Sequence, residues 1–237
     1  MRQVVMRELS SKIDYLESLA PPPAQLEGLL RLARSFSDEL NKTQISLSHH
    51  EAQLVAHFFK LNQVRTVLEI GALTGFSALY WAWAVGPQGR VWTIEKDTAH
   101  AQKCREISQL AKTELQFSIQ VIEGDAEMKL AESASWGLPE VVDAVFIDGN
   151  KAAYGKYLDW ALAHTKSGSV IVADNVFLWG GAWGDQNSVA SAKQIEVMKK
   201  VNETLMDSDR FLRLMIPTAE GLLMAVRRST AADLSGR

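Results

Sequence analysis

The stretch Val67–Asp97, VLEIGALTGFSALYWAWAVGPQGRVWTIEKD, decides how the rest of the chain folds. Its two short apolar runs, Val67–Ile70 and Val91–Ile94, are typical of buried β-strands. Between them, a turn-forming loop that begins at Gly71 leads into the apolar segment Phe76–Val85, which predicts a helix. Because parallel strands need such a crossover helix, the stretch is predicted to be one strand-helix-strand unit of a parallel sheet.

The loop after the first predicted strand indicates a ligand site. Gly71 allows the backbone to approach a ligand closely, and the helix that follows offers free N–H groups at its N-terminus. Glu95 ends the second strand, and an acid about 20 residues beyond a glycine loop commonly binds ribose hydroxyls. Leu73 and Phe76 stand where a dinucleotide-binding G-x-G-x-x-G would need glycine, and the P-loop Lys-Ser/Thr pair is missing. An ordinary strand-helix unit with a polar strand end is the open alternative.

The composition is that of an ordinary globular protein, with 47% hydrophobic and 22% charged residues among 237. We expect one α/β domain whose core needs neither disulfides nor a metal. The net charge of −3 speaks against a nucleic-acid partner, and the single cysteine, Cys104, excludes an intramolecular disulfide. No apolar run reaches transmembrane length and no signal-peptide core opens the chain, so we expect a cytoplasmic protein without a membrane partner.

Helices precede and alternating elements follow this stretch. One helix is predicted at about Ala24–Asn41, and another after Ser48, where Glu51 completes a capping box. Downstream, Val141–Ile147 is predicted to be a central strand and Ser188–Asp207 a long helix. The predicted fold is a Rossmann-like, doubly wound α/β sheet of seven mostly parallel strands, with an antiparallel hairpin at its edge and extra N-terminal helices. The predicted domain organisation is N-terminal helices at 1–60 packed on the same domain, a core at 61–228 and a flexible tail at 229–237.

Oxygen-bearing side chains follow two consecutive predicted strands. Asp148 follows the first strand, and Asp174 and Asn175 end the second. Because ligands of open α/β sheets bind beyond the carboxyl ends of strands, these three are expected to form a site for Mg²⁺, alternatively Mn²⁺ or Ca²⁺. Lys151 begins the next helix, where the helix dipole disfavours a cation, and this suits a general base. Helix-capping acids and a solvated lysine are the open alternatives.

Two motifs resemble those of one enzyme family. Glu69-Ile70-Gly71-x-x-Thr74-Gly75-x-Ser77 resembles the first motif of class I S-adenosylmethionine-dependent methyltransferases, whose cationic sulfonium suits the acidic Glu69. Asp148-Gly149-Asn150-Lys151-x-x-Tyr154, together with Asp174-Asn175, resembles the cation-dependent caffeoyl-CoA and catechol O-methyltransferases, in a bacterial type. The resemblance runs from about Ile45 to Arg227. Members of that family methylate one hydroxyl of a vicinal diol.

The resemblance implies a role for each matching residue. Glu95 would hold the ribose of S-adenosyl-L-methionine, and Asp125 and Ala126 would border its adenine. Asp148, Asp174 and Asn175 would bind the divalent cation, and Lys151 with Asp148 would carry the catalysis. The remaining cofactor-binding residues implied by the resemblance are Leu47, Glu69, Gly71, Ala72, Ser77 and Asp148.

The resemblance also implies partners and leaves alternatives. The expected substrate is a small aromatic vicinal diol, and a homodimer is expected because the N-terminal helices carry more apolar residues than one sheet face needs. Asn150 replaces a second acid of the family, and the segment Val176–Trp179 is one residue longer than usual. The alternatives are a tRNA hydroxyuridine O-methyltransferase and a non-catalytic, cofactor-binding dimer.

Overall fold

The computed structural model describes residues 15–16 and 18–229, and helices and strands alternate after its second helix. The predicted tail at 229–237 lies outside the described residues except for Ser229. The helices are α1 (Glu27–Glu39), α2 (His49–Leu61), α3 (Phe76–Val85), α4 (Thr98–Leu115), α5 (Ala126–Ala131), α6 (Tyr154–Ala163) and α7 (Ala192–Leu205). The strands are β1 (Thr66–Ile70), β2 (Arg90–Glu95), β3 (Ile119–Glu123), β4 (Ala144–Ile147), β5 (Val170–Asp174), β6 (Phe211–Ile216) and β7 (Leu222–Arg227).

The strands form one seven-stranded sheet with the order β3-β2-β1-β4-β5-β7-β6. Strand β4 pairs in parallel with β1 and β5, and β2 pairs in parallel with β3. Strand β7 runs antiparallel to both β5 and β6. The predicted Rossmann-like sheet with an edge hairpin is therefore confirmed. Every residue of β4 and β5 is buried, as expected for parallel strands that are covered on both faces.

The chain forms two compact units, each with its own core. The first comprises the described parts of 1–65 and 72–124, and its fully buried side chains include Trp81 and Phe59. The second comprises 66–71 and the described part of 125–237, with Phe146 and Phe211 fully buried. The single-domain organisation inferred from the sequence stays a prediction. Among residues 15–16 and 18–229, no helix is both long enough and apolar enough to cross a membrane.

Two helix starts are set by serine capping boxes. The Ser48 hydroxyl accepts from the backbone N–H of Glu51 at 3.2 Å, and the Glu51 carboxylate accepts from the N–H of Ser48 at 3.0 Å, as predicted. The prediction that the last helix begins at Ser188 was wrong, because a second box forms at Ser191. Its hydroxyl accepts from the N–H of Gln194, whose side chain accepts from the N–H of Ser191.

Strand β4 begins at Ala144, later than the predicted start at Val141, because Asp143 makes hydrogen bonds of its own. The Asp143 carboxylate accepts from both the backbone N–H and the hydroxyl of Thr66, each at 3.0 Å. The Thr66 hydroxyl in turn accepts from the N–H of Asp143 at 2.9 Å. This reciprocal contact fixes where β1 and β4 begin.

We expect Asp143→Ala to lower the free energy of unfolding by roughly 2 kcal/mol, because it leaves two donors of Thr66 without this charged acceptor. Asp143→Asn keeps an oxygen acceptor and should lose less. The measurement is urea denaturation. Asp159→Ala, which alters an exposed acid on α6, serves as the control and should stay within about 0.5 kcal/mol of the wild type. Equal losses in Asp143→Ala and the control would contradict the structural role of Asp143.

Candidate functional site

In the first unit, the carboxylate of Glu95 holds the loop that precedes helix α3. One oxygen accepts from the backbone N–H of Leu73 at 2.8 Å, and the other accepts from the N–H of Asp97 at 2.9 Å. Leu73 has a positive φ of 48°, so the loop conformation it adopts needs support of this kind. A carboxylate has about four lone-pair positions, so Glu95 retains the capacity to accept from ligand hydroxyls as well.

The same loop is fastened to helix α1. The Thr74 side chain is fully buried, and its hydroxyl lies 2.7 Å from the hydroxyl of Ser37 and donates to the carbonyl of Ala33 at 2.9 Å. Ala72 and Ser77 lie on either side of Thr74 and are both buried. The predicted cofactor residues of this loop are thus held in place by an N-terminal helix.

Arg34 of helix α1 fixes the entrance to helix α2. Its guanidinium donates to the carbonyl of Leu47 and lies 3.8 Å from the ring centroid of Phe76, the first residue of α3. His49 packs its ring edge against Phe76 at 5.0 Å and hydrogen-bonds the hydroxyl of Tyr80 at 2.8 Å. Burial, and then the charge of Arg34, lower the pKa of His49 to about 4, so this histidine is neutral at pH 7. Leu47, a predicted cofactor residue, is buried in this cluster.

In the second unit, strands β1 and β4 end against each other. Gly71 has a φ of +105°, and a Cβ atom there would clash with the backbone carbonyl of Asp148. The N–H of Asp148 donates to the carbonyl of Ile70 at 2.8 Å, which continues the pairing beyond the two strands. Glu69, opposite Phe146 in the register, is fully buried. Only glycine fits the position that the motif predicted to be glycine.

Asp148, Lys151 and Tyr154 form a connected cluster after β4. The Lys151 ammonium donates to the Asp148 carboxylate at 2.7 Å and to the Tyr154 hydroxyl at 2.9 Å. Tyr154 is fully buried, and its hydroxyl donates to the carbonyl oxygens of Ile147, at 3.2 Å, and Asp174, at 3.0 Å. The side chains of Asp148 and Lys151 are only 18% and 12% exposed, so their charges face each other with little intervening solvent.

Asp174 and Asn175 end the neighbouring strand β5. Ile147 of β4 pairs with Ala173, so Asp148 and Asp174 follow adjacent positions of two paired strands. Asp174 is fully buried, and one of its oxygens accepts from the N–H of Asn175 at 2.7 Å. No trio of His, Cys, Asp and Glu in the described part of the chain has the arrangement of a metal site. The predicted set instead has two carboxylates and an amide, an all-oxygen donor set of the type that fits a hard divalent cation.

The predicted adenine-binding residues begin helix α5. Asp125 is the N-cap, and its carboxylate accepts from the N–H of Glu127 at 3.0 Å. Ala126, the first residue of the helix, is buried. Burial, followed by the charges of Asp125 and Glu127, raises the pKa of nearby Tyr157 to about 12, so that phenol stays protonated.

The longer segment after Asn175 is fastened to the turn before β7. Glu220 accepts from the N–H of Trp179 with its carboxylate at 3.0 Å and from the N–H of Phe177 with its backbone carbonyl at 2.9 Å. A Cβ atom at Gly221 would lie 2.6 Å from the Phe177 ring. Trp183 packs edge-on against Phe177 at 5.3 Å and is 65% exposed. An exposed aromatic ring is therefore held on a supported loop that follows Asp174 and Asn175.

Sequence reasoning assigned no role to three side chains that the structure shows in or beside these clusters. Tyr154 was part of the quoted motif, and its spacing of three residues from Lys151 is one that brings helical side chains together. Glu220 carries no local signal for its role, because its contact with Trp179 spans 41 residues. The contacts of Arg34 with Leu47 and Phe76 have no local signal in the sequence.

Comparisons with known proteins agree with this architecture. A family described as O-methyltransferase matches residues 23–228. A catechol O-methyltransferase of Mycobacterium tuberculosis is 34% identical over 172 residues, which cover 71% of this chain and 76% of that protein. The O-methyltransferase TomG from Streptomyces achromogenes, involved in tomaymycin synthesis and solved in complex with SAM, superimposes with a TM-score of 0.79 at 26% identity, over 97% of this chain and 100% of that one. An O-methyltransferase from Bacillus cereus in complex with SAH gives a TM-score of 0.76 at 26% identity, over 94% and 100% of the two chains.

His49 makes stability depend on pH. Because its pKa is lowered from 6.5 to about 4 on folding, the unfolded chain binds this proton first, and stability falls as the pH drops from 6.5 towards 4. Between pH 7.5 and pH 5, we expect His49 to contribute a loss of about 1–2 kcal/mol in the free energy of unfolding. His49→Gln keeps a hydrogen-bonding side chain that does not titrate, so its loss over the same range should be smaller by this amount. Urea denaturation at both pH values gives the comparison, and equal losses would contradict it.

Proposed function

The chain belongs to the O-methyltransferase family, and on that premise we propose that it methylates one hydroxyl of a small aromatic vicinal diol with the help of a divalent cation. As a member of this family it is an S-adenosylmethionine-dependent O-methyltransferase of the catechol and caffeoyl-CoA type. The observation that carries the proposal is the 2.7 Å contact between Lys151 and Asp148, at the end of a strand paired with the one that bears Asp174. A basic side chain and an oxygen donor set beside one another suit the deprotonation of a chelating hydroxyl.

For the cofactor, we propose that Glu95 binds the two ribose hydroxyls. Its oxygens already accept from Leu73 and Asp97, so the carboxylate is fixed before the ligand arrives. Ligand hydroxyls would use its remaining lone pairs. The further contacts proposed from the family motif are Leu47, Glu69, Gly71, Ala72, Ser77, Asp125, Ala126 and Asp148.

For the divalent cation, we propose Asp148, Asp174 and Asn175 as the ligands. Two carboxylates match the charge of a dication, and the amide adds a neutral oxygen. The position already attracts a positive charge, since the Lys151 ammonium lies against Asp148. When bound, such a cation lowers the pKa of a coordinated hydroxyl and holds two adjacent hydroxyls in one orientation.

In the proposed reaction, Lys151 acts as a neutral amine. Its ammonium first releases a proton to solvent, and its Nζ atom then accepts the proton of the reacting hydroxyl. The hydroxyl oxygen then forms a bond to the methyl carbon, and the carbon–sulfur bond breaks with its electron pair passing to sulfur. The products are the methyl ether and S-adenosylhomocysteine. Trp183, which is 65% exposed on the loop after Asn175, is proposed to cover the flat face of the substrate ring. Alignment of the oxygen with the methyl carbon is the main contribution that such positioning makes to the rate.

A homodimer also stays a proposal. Its support is the set of apolar side chains exposed near the beginning of the described chain, where Tyr15 is 64% and Leu19 is 65% exposed. Clusters of exposed apolar side chains commonly mark association surfaces.

We expect Glu95→Ala to weaken S-adenosylmethionine binding tenfold or more, because hydrogen bonds to a charged group contribute roughly 1.5–3 kcal/mol. Isothermal titration calorimetry gives the dissociation constant. Glu123→Ala is the matched control, since Glu123 ends β3 directly opposite Glu95 in the register and carries the same charge. The control should bind like the wild type. Unchanged affinity in folded Glu95→Ala would refute the ribose assignment.

We expect a catechol-like diol to be methylated only when a divalent cation is present. EDTA should abolish turnover, and added Mg²⁺ or Mn²⁺ should restore it. A matched monophenol offers one ligand oxygen instead of two, so it should react at least about a hundredfold more slowly in kcat/KM. The measurement is methyl transfer to both compounds, with and without chelator.

Substitutions separate the cation site from general effects on the fold. Asp174→Ala should be inactive at every Mg²⁺ concentration, whereas Asp207→Ala, which removes an acid just after α7, should keep wild-type activity. Turnover in EDTA, comparable rates for the diol and the monophenol, or activity on hydroxyuridine-containing tRNA alone would each contradict the proposal.

A further inference from the structure

We propose that Tyr154 is a positioning residue that aims the amine of Lys151 at the substrate hydroxyl. The inference rests on the proposed function, because it takes Lys151 to be the general base. It is carried by the 2.9 Å contact between the Lys151 amine and the Tyr154 hydroxyl, in a pocket where that hydroxyl is fully buried.

The direction of this hydrogen bond follows from the neighbours of Tyr154. Its hydroxyl lies within hydrogen-bonding distance of the carbonyl oxygens of Ile147 and Asp174, and a carbonyl can only accept. The single phenolic proton is therefore used for these carbonyls. The phenolic oxygen remains as an acceptor, so the Lys151 amine must be the donor in their contact.

Two directions around the Lys151 nitrogen are then fixed. One N–H points to the Tyr154 oxygen and another to the Asp148 carboxylate, at 2.9 Å and 2.7 Å. A tetrahedral amine that donates in these two directions presents its lone pair along a direction set by them. A lysine side chain is otherwise long and flexible, so a single contact would not hold it in one orientation.

Tyr154 links the base to the strands that carry the proposed cation ligands. It accepts from Lys151 and donates to the carbonyls of Ile147, just before Asp148, and of Asp174 itself. A displacement of either strand end would therefore move the phenol, and with it the amine. The Lys151 nitrogen also lies 5.0 Å from the centroid of the Tyr154 ring, and Tyr154→Phe keeps that ring while it removes the hydroxyl contact at 2.9 Å. Tyr154→Phe, which removes only the hydroxyl, is therefore the substitution that tests the proposal.

The test compares Tyr154→Phe, Lys151→Met and the double variant in steady-state kinetics with a catechol-like diol. We expect Tyr154→Phe to lower kcat about tenfold to a hundredfold, a loss typical of a misaligned reacting group, while KM for S-adenosylmethionine changes less than twofold. In the Lys151→Met background, the same substitution should change the residual kcat less than twofold, because a residue that acts through the amine has no effect once the amine is gone. Affinity for S-adenosylhomocysteine, measured by calorimetry, should be the same in all variants.

Tyr157→Phe is the matched control. Tyr157 is also a buried tyrosine of helix α6, with its ring 6.2 Å from that of Tyr154, and the loss of its hydroxyl should leave kcat within twofold of the wild type.

The outcomes distinguish this inference from the function on which it rests. Wild-type kcat in Tyr154→Phe, with Lys151→Met impaired, would refute the positioning role alone. The same fractional loss from Tyr154→Phe in both backgrounds would also refute it, because the hydroxyl would then act on the fold rather than through Lys151. Wild-type activity in Lys151→Met would overturn the assignment of the base itself.

Discussion

The contact of the Gly71 backbone with the Asp148 carbonyl is the constraint on which the second unit depends. It requires a residue without a side chain at φ +105°, and it is closed by the hydrogen bond from Asp148 to Ile70. These two contacts hold the end of β1 against the end of β4. They therefore fix the position of the Asp148 backbone, from which its side chain extends. Lys151, three residues further on, begins a turn of 3-10 helix, and its side chain reaches back to Asp148. The position of the Asp148–Lys151 pair thus depends on a glycine at position 71.

The proposed reactive groups, Asp148, Asp174 and Lys151, are held by strands β4 and β5 and by Tyr154. Asp148 and Asp174 continue two paired, fully buried strands, and Tyr154 ties the lysine to the ends of both. The loop after Asn175 includes Leu178 and Trp179 with positive φ values of 51° and 52°, a conformation that costs free energy for such side chains. The buried carboxylate of Glu220 helps to offset that cost by accepting from the backbone of Trp179. Groups held in this way lose little freedom when a substrate binds, which favours catalysis over mere binding.

Local signals decided what the sequence could predict. Helix α3 was placed correctly because glycines bound a run that is apolar except for Ser77, and the hairpin β6–β7 because two apolar strands flank a short turn. The starts of β4 and α7 were misplaced, since Asp143 bonds to a threonine 77 residues away and Ser191 competes with Ser188 as a cap. Motif spacing identified Asp148, Lys151 and Asp174, but their roles as ligands and base stay predictions. The positioning role proposed for Tyr154 depends on its hydrogen bonds to the carbonyl groups of Ile147 and Asp174. These two carbonyls lie close together because β4 pairs with β5, which no local signal in the sequence indicates.

The bond between Thr66 and Asp143 also has a consequence for how the chain reaches its native state. Strand β1 belongs to the second unit, yet the chain leaves that unit at Gly71 and returns only at Asp125. The edge of β1 that pairs with β4 therefore has no partner until the chain about 77 residues further along has been synthesised. At a synthesis rate of about 5–20 residues per second, that edge stays uncovered on the ribosome for roughly 4–15 s. Pairing over such a separation slows folding and prolongs the exposure of an apolar strand to other chains.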